Sequence, residues 1–112
     1  MTNKDSICLL LEASSKLNSR AISLMRCLIL ALLAYSIDGL QYREIKAALN
    51  ISDGKLISNL NILNSMGYLK KTEVELDNKK LDVYSLTNEG RKEMEKIARW
   101  MELLIKVGKE KC

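Results

Sequence analysis

The side chains of this 112-residue sequence that are best suited to chemistry are hydrogen-bonding groups on one predicted helix. At about 100° per residue, a helix that turns Leu56, Leu60 and Leu63 inward presents a different set outward. That outward set is Lys55, Ser58, Asn61 and Ile62, with Asn59 at its edge. Asparagine can bond adenine bidentately, serine can bond either base type, and isoleucine can contact a thymine methyl. The pattern predicts a helix face that reads base edges, although the same residues also suit a plain solvated face.

Catalytic and metal-binding patterns are missing from the sequence. It has no histidine, no glycine-rich phosphate loop and no nucleophile elbow, and its carboxylates are dispersed. Cys8, Cys27 and Cys112 are not spaced as a CxxC motif, so an ordinary zinc site is not expected either. We therefore predict that the protein is not an enzyme and needs no metal or cofactor. Cys8 and Cys27 stand among leucines and isoleucines, where we expect small buried side chains.

Length and composition narrow the class of protein. A chain of this size with 47% apolar residues can bury one core, which predicts a single domain over residues 1–112. The net charge of +4 suits a polyanionic partner. The longest apolar run, residues 27–35, is too short to span a membrane, and the first residues do not follow the pattern of a signal peptide. We therefore expect a cytoplasmic protein without a membrane partner.

The elements that must position the predicted reading face are mostly helices, because the sequence has no proline and its glycines are far apart. Apolar residues recur at helical spacing over residues 5–17, 20–36, 42–49 and 52–66, and again after Thr87. Residues 68–76 and 81–86 alternate with a period of two, and a polar turn, 77–80, separates them. The predicted fold class is mainly α with a small β-hairpin, in the order four helices, hairpin, helix.

The third and fourth predicted helices form a helix-turn-helix that the hairpin follows at once. Their connector is short, Ser52 is a good N-cap for the fourth helix, and Asp53 places negative charge on its first turn. A helix-turn-helix followed by a charged hairpin is the plan of the winged helix, whose second motif helix enters the major groove. We expect residues 20–86 to form this winged helix-turn-helix core, between an N-terminal helix (1–19) and a C-terminal dimerisation helix (87–112).

Five short segments carry a resemblance to a known family. They are Tyr42-Arg43-Glu44-Ile45, Ile51-Ser52-Asp53-Gly54-Lys55-Leu56, Leu60-Asn61-Ile62-Leu63, Met66-Gly67-Tyr68-Leu69 and Tyr84-Ser85-Leu86-Thr87-Asn88-Glu89-Gly90. In this combination and order, residues 20–106 resemble the small winged-helix regulators related to the MarR and ArsR repressors, especially compact archaeal ones. The resemblance implies sequence-specific binding of double-stranded DNA and regulation of transcription.

The same resemblance has implications for the binding of metal ions and of small effector molecules. ArsR-type members that sense metals carry paired cysteines in or near the DNA-reading unit, and this sequence has none between Cys27 and Cys112. Metal sensing is therefore not expected. The resemblance to MarR relatives also implies a pocket between the long helices for a small apolar effector, but no set of residues in the sequence identifies one.

The winged-helix plan assigns backbone contacts to residues outside the reading face. The hairpin tip carries Asn78, Lys79 and Lys80, which are predicted to contact phosphates or the minor groove. Arg43 opens the third helix and Ser52 opens the fourth, and both join the predicted DNA-binding set. A charged hairpin tip also serves solubility, and nearby acidic residues oppose its positive field.

The first and last helices are more apolar than one small core requires. Their predicted dimer contacts are Ile7, Leu10, Leu11, Ile97, Trp100, Met101, Leu104 and Ile105. A homodimer built on them would place two reading helices about one DNA turn apart. Trp100 has the alternative of closing the core of its own chain. Cys112 is a candidate for a disulfide between the two copies, a bond that intracellular proteins of hyperthermophiles can keep.

Two other functions are compatible with the same fold. Winged helices also assemble protein complexes without reading DNA, because a fold alone does not fix a function. A chromatin-type protein that binds DNA with little sequence preference is the other alternative. Steep weakening of binding with salt would separate DNA binding from protein interaction, and random DNA compared with genomic sites would separate a chromatin-type protein from a regulator.

Overall fold

The structure, a computed structural model, describes residues 3–110. Its α-helices are α1 (Asn3–Ser15), α2 (Leu24–Tyr35), α3 (Tyr42–Leu49), α4 (Asp53–Ser65) and α5 (Asn88–Lys109), and a 3-10 helix at Ser19–Ala21 precedes α2. Its strands are β1 (Leu40–Gln41), β2 (Leu69–Leu76) and β3 (Lys79–Leu86). This arrangement confirms the predicted fold class, mainly α with a small antiparallel sheet in a winged helix-turn-helix.

Three of the helices begin at a serine or threonine cap. The side-chain oxygens of Ser23, Ser52 and Thr87 each accept a hydrogen bond from the backbone N–H three residues on, over 3.1, 3.3 and 3.0 Å. Each cap satisfies an N–H group that has no partner inside the first turn. The cap at Ser23 corrects the prediction of one helix over residues 20–36, since the chain leaves the helical conformation at residues 22–23 and α2 begins after them.

The hydrophobic core is formed by α2, α3, α4 and α5 together with the first residues of β2. Its buried members are Ala21, Ile29, Leu30, Leu33, Ile45, Leu56, Leu60, Leu63, Tyr68, Leu69 and Ile97. The three leucines that the sequence predicts on the inner side of α4 are among them. Burial of a side chain of this size stabilises the fold by about 1.5–3 kcal/mol. The core therefore holds α4 with its outer side directed away from the protein.

The sheet has one strand more than the predicted hairpin, in the order β1-β3-β2. In β1, Leu40 pairs with Tyr84 of β3 and Gln41 pairs with Val83. A strand of two residues is too short to show an alternating pattern, so the sequence did not predict it. Gly39 leads into β1 at φ +83°, and a Cβ there would lie 2.6 Å from the carbonyl oxygen of Tyr84. Only glycine fits this close approach.

A two-residue turn connects β2 to β3 and forms the tip of the wing. Its residues, Asp77 and Asn78, have φ values of 52° and 63°. Two consecutive left-handed residues are the geometry that a tight hairpin requires, and aspartate and asparagine tolerate it better than most residues. Because the turn is this short, Lys79 and Lys80 lie in β3, whereas the sequence pattern predicted them in the turn.

Helix α1 packs along the second half of α5, and we call this pair, α1 with residues 98–109 of α5, the arm. At one end of the arm, Oγ of Ser6 donates a hydrogen bond to Oε1 of Glu110 over 2.7 Å. At the other end, Nε1 of Trp100 donates to Oγ of Ser14 over 2.7 Å. The two helices are therefore antiparallel and tied at both ends.

The two cysteines within the described residues differ in their exposure. Cys8 is exposed and Cys27 is half-buried. The predicted burial of Cys8 is therefore wrong, because its side of α1 is not covered by α5.

Within residues 3–110, each helix is too short or too polar to span a membrane.

Candidate nucleic-acid interface

Helices α3 and α4 are held together by contacts on Asp53, in the first turn of α4. The hydroxyl of Tyr42 donates a hydrogen bond to Oδ1 of Asp53 over 2.7 Å, and Nζ of Lys46 lies 3.1 Å from the same oxygen. The hydrogen bond to Asp53 raises the pKa of Tyr42 to about 12. The hydrogen bonds from Tyr42 and Lys46 lower the pKa of Asp53. The first residue and the middle of α3 are thus linked to the first turn of α4.

The outer side of α4 is exposed and largely uncharged. Gly54, Ile57, Ser58 and Asn61 form one row at spacings of three and four residues, and all four are exposed. Lys55 is exposed beside this row. We call these five residues the reading face. Ser58, Asn61 and Lys55 occupy the outward positions that the sequence predicts, and no described residue hydrogen-bonds the side chain of Ser58 or Asn61.

The side chain of Asn59, at the edge of the reading face, is hydrogen-bonded within the protein. Its Nδ2 donates to the carbonyl oxygen of Lys55 over 2.8 Å, and its Oδ1 accepts a hydrogen bond from Nη1 of Arg26 over 3.0 Å. An asparagine that reads adenine needs both of these groups for the base. The side chain is also half-buried, as is that of Ile62. Asn59 is therefore oriented by two bonds within the protein, whereas its place on the helical wheel predicted a free side chain.

Ile57 was not predicted as a reading residue, although its side chain is 48% exposed in the middle of the reading face. Ile57 can supply the apolar contact to a thymine methyl that was predicted for Ile62. The signal was present in the sequence, because Ile57 lies four residues before Asn61 and about 100° from Leu56 on the helical wheel.

The wing extends into solvent next to the helix-turn-helix and carries charges of both signs. Every residue of β2 after Leu69 is exposed. Nζ of Lys80 lies 3.9 Å from Oε1 of Glu73, and Nζ of Lys71 lies 4.0 Å from Oδ2 of Asp82. Exposed ion pairs of this kind contribute little to stability. The lysines can therefore exchange these carboxylates for phosphates at small cost.

Two of the predicted backbone contacts lie at the starts of the motif helices. Arg43, in the first turn of α3, is exposed. Ser52 is also exposed, and its Oγ already accepts the capping hydrogen bond from Lys55. A hydroxyl that accepts one bond still has a proton to donate, so Ser52 can cap α4 and donate to a phosphate at once.

The predicted dimer residues fall into two groups. Leu10 and Ile97 are buried within the chain, and Trp100 is half-buried with its indole N–H bonded to Ser14. These three close the packing of their own chain, which for Trp100 is the alternative raised by the sequence. The other five remain exposed on the arm: Ile7, Leu11, Met101, Leu104 and Ile105. Cys112 lies outside the described residues.

A groove of about 290 Å³ separates α2 from α5. Its lining is apolar and includes Leu28, Cys27, Met94 and Met101. It lies between the long helices, where the resemblance to MarR relatives implies an effector pocket. Within residues 3–110, no group of three or more cysteine, aspartate or glutamate side chains could hold a metal ion.

A comparison with protein families matches residues 25–105 to the winged helix DNA-binding domain. That segment runs from the second residue of α2 through β3 into α5, and it includes the whole reading face and the wing. No curated protein matches the sequence.

Solved structures of several bacterial proteins share the fold. The YusO protein of Bacillus subtilis is 19% identical, with a TM-score of 0.69 over 91% of this chain and 69% of that one. The S. aureus MepR–DNA complex is 20% identical, with a TM-score of 0.65 over 92% and 72%. The PcaV transcriptional regulator of Streptomyces coelicolor, in complex with its natural ligand, is 18% identical, with a TM-score of 0.62 over 91% and 73%. At these identities the likeness shows the fold, and the predicted resemblance to archaeal members stays a prediction.

Proposed function

Because the chain belongs to the family of winged helix DNA-binding domains, we propose that it binds double-stranded DNA with sequence preference and regulates transcription as a homodimer. The observation that carries the proposal is the reading face of α4. Its hydroxyl, amide and apolar side chains are exposed, while the leucines on the opposite side are buried in the core. A helix of this kind fits the major groove and can bond base edges there.

The side chains on and around the reading face support a role in sequence reading rather than in charge attraction alone. Ser58, Asn61 and Ile57 are short or apolar groups that distinguish one base pair from another. The basic residues Arg43, Lys79 and Lys80 flank this row on α3 and on the wing, where phosphate contacts would orient the protein. The S. aureus MepR–DNA complex, which shares the fold, is a protein of this architecture bound to DNA.

The arm supports the proposal of a homodimer. Leu11, Leu104 and Ile105 are 64%, 45% and 58% exposed. Exposed apolar side chains concentrated on one pair of packed helices favour an interaction site there. A second copy related by a twofold axis would present the same residues, so the surface would be buried against itself. Two reading faces would then contact successive turns of DNA.

The decisive experiment compares DNA binding by the wild type with that of an altered reading face. Asn61→Ala is expected to cost about 1–3 kcal/mol on a DNA site selected from a random pool, and much less on random DNA. Asn88→Ala is the matched control, because Asn88 is an exposed asparagine at the start of α5. It should bind the selected site as the wild type does.

The two alternative functions predict different results when binding to selected and random DNA is measured over a range of salt concentrations. A chromatin-type protein would bind selected and random DNA equally and lose affinity with salt. A protein-interaction module would show no salt-dependent binding to DNA at all. Either result, obtained with folded protein, would contradict sequence-specific regulation.

A further inference from the structure

The side chain of Arg26 contacts α4 from outside the helix-turn-helix. Arg26 is the third residue of α2, and its Nη1 donates to Oδ1 of Asn59 over 3.0 Å. The amide of Asn59 in turn donates to the carbonyl oxygen of Lys55, one turn earlier in α4. The Nε of Arg26 is buried and has no partner among the described residues. The contact to Asn59 is therefore the hydrogen bond that holds this guanidinium.

The stability of α2 does not account for an arginine at this position. The amino terminus of a helix carries a partial positive charge, so a cation in the first turn is unfavourable. Arg26 lies in that turn, three residues after the cap at Ser23, and its buried Nε adds a desolvation cost. What the side chain gains is its bond to Asn59, and through it a fixed orientation of the amide on α4.

We propose that Arg26 is a specificity-determining positioning residue that withholds Asn59 from DNA. The oxygen of Asn59 is bonded to Arg26 and its nitrogen to the backbone of α4, so the protein fixes the amide, and turning it to pair with an adenine would break at least one of these bonds. Base reading is left to the free side chains of the reading face, Ser58 and Asn61. This inference rests on the proposed function, since it states which residues of the same helix read the bases.

The hydrogen bond that holds Asn59 is stronger than a bond between neutral groups. A hydrogen bond from a charged guanidinium is roughly twice as strong as a neutral one. A base that competes for Oδ1 of Asn59 must also leave a partly buried charge without an acceptor. If Arg26 is replaced by a side chain without a donor, Oδ1 is left without this partner and the amide can turn toward the groove.

The test determines base preference by selecting bound fragments from random DNA for the wild type and four variants. Asn59→Ala is expected to keep the wild-type preference, because Asn59 does not read a base. Arg26→Met keeps the apolar stem and removes the donors. It is expected to add a preference for adenine at one position, by about fivefold or more.

Two further variants link that new preference to the bond between Arg26 and Asn59. The double variant Arg26→Met with Asn59→Ala should return to the wild-type preference, because the released amide is gone. Arg26→Lys keeps a positive charge and a donor on a long stem, and should keep the wild-type preference. A purely structural role of Arg26 would change affinity or unfolding temperature in these variants without changing which base is preferred.

Several results would overturn the inference. A changed preference in Asn59→Ala would show that Asn59 reads a base in the wild type. An unchanged preference in folded Arg26→Met would show that Arg26 does not withhold it. If Arg26→Met does not fold, the result for Asn59→Ala decides alone. A wild type without any base preference would remove the proposed function itself, and it is measured first so that the two failures are distinguished.

Discussion

The helix-turn-helix and the arm are both built from helices, but they differ in what covers their apolar side chains. In the helix-turn-helix, Leu56, Leu60 and Leu63 are buried by the chain itself, and Tyr42 and Asp53 join the two helices. In the arm, α1 and α5 are tied at their ends, while apolar side chains remain exposed between those ties. From this difference we expect the DNA-binding unit to be complete in one chain and the arm to be completed by a second.

The largest difference between the two regions is expected when a leucine is replaced by alanine in each of them. Leu60→Ala is expected to lower the free energy of unfolding by about 2–5 kcal/mol, because it leaves a cavity in the core. Leu104→Ala should lower it by about 1 kcal/mol or less, since Leu104 is 45% exposed and only part of its side chain is buried within one chain. Urea unfolding checks this, at protein concentrations low enough that the midpoint no longer depends on concentration. Equal destabilisation by the two changes would mean that the arm is as self-contained as the core.

The second prediction concerns the copy that would complete the arm. Ile105→Glu places a charge in the proposed interface and should shift the protein from dimer to monomer, because an unpaired charge is costly to bury. Ile37→Glu is the matched control, since Ile37 is an isoleucine 88% exposed outside the arm. Sedimentation equilibrium measures both. A dimer that withstands Ile105→Glu, or a wild type that is monomeric at high concentration, would remove the arm from the proposal.

The same contrast explains why the sequence predicted the core of the fold better than its surfaces. The leucine spacing of α4 and the cap at Ser52 are local signals, and the structure has both. The alternation after Gly67 predicted the two strands of the wing, although their side chains do not alternate between buried and exposed. The cap at Ser23 was missed, because the apolar positions from Ile22 onward continue the helical pattern across the break. Strand β1 was missed because two residues show no period.

At the candidate site, helical spacing predicted which side chains face outward but not which of them are free. Asn59 has the residue type and nearly the direction of a base reader, and only the position of Arg26, 33 residues earlier in the chain, shows that its amide is already bonded. In the same way, one apolar stripe on α5 contains Ile97, which is buried in the core, and Leu104 and Ile105, which are exposed on the arm. Helical periodicity predicts on which side of a helix a residue lies. Which residues it contacts on that side depends on the tertiary structure.

The third prediction tests how firmly the helix-turn-helix is tied. The folded pKa of Tyr42 is about 12, above its ordinary value of 10.0. Its bond to Asp53 therefore stabilises the fold below pH 10, and this contribution disappears as the pH rises from 10 to about 12. The lowered pKa of Asp53 acts in the opposite direction, since its contribution is present above pH 3.8 and disappears as the pH falls below that value.

Tyr42→Phe removes the hydrogen bond that links these two shifts. Its unfolding temperature should therefore fall less than that of the wild type both above pH 10 and below pH 3.8. Tyr35→Phe is the control, because Tyr35 is 90% exposed and takes no part in the bonding around Asp53. Thermal unfolding followed by circular dichroism gives both profiles. Parallel profiles for wild type and Tyr42→Phe would show that α3 and α4 are not held through Asp53.

The smallest expected effect is at the wing, the part of the DNA-binding unit that the core does not fix. If Lys79 and Lys80 bind phosphates, replacing both by alanine should weaken binding to all DNA sequences alike. It should also lower the slope of log affinity against log salt by on the order of one unit for each phosphate that is no longer neutralised. Lys106 and Lys109, two lysines in the last turn of α5, provide the matched control pair.

The carboxylate of Glu73 supplies a second reason why the lysine variant would bind DNA weakly. Because Oε1 of Glu73 lies 3.9 Å from Nζ of Lys80, the double change also leaves an acidic group facing the phosphates. The variant Glu73→Gln with both lysines replaced separates the two causes, since it removes that repulsion but restores no cation to the wing. A salt slope that is unchanged in the lysine variant would mean that the wing does not touch the DNA backbone, and that the reading face and α3 orient the protein by themselves.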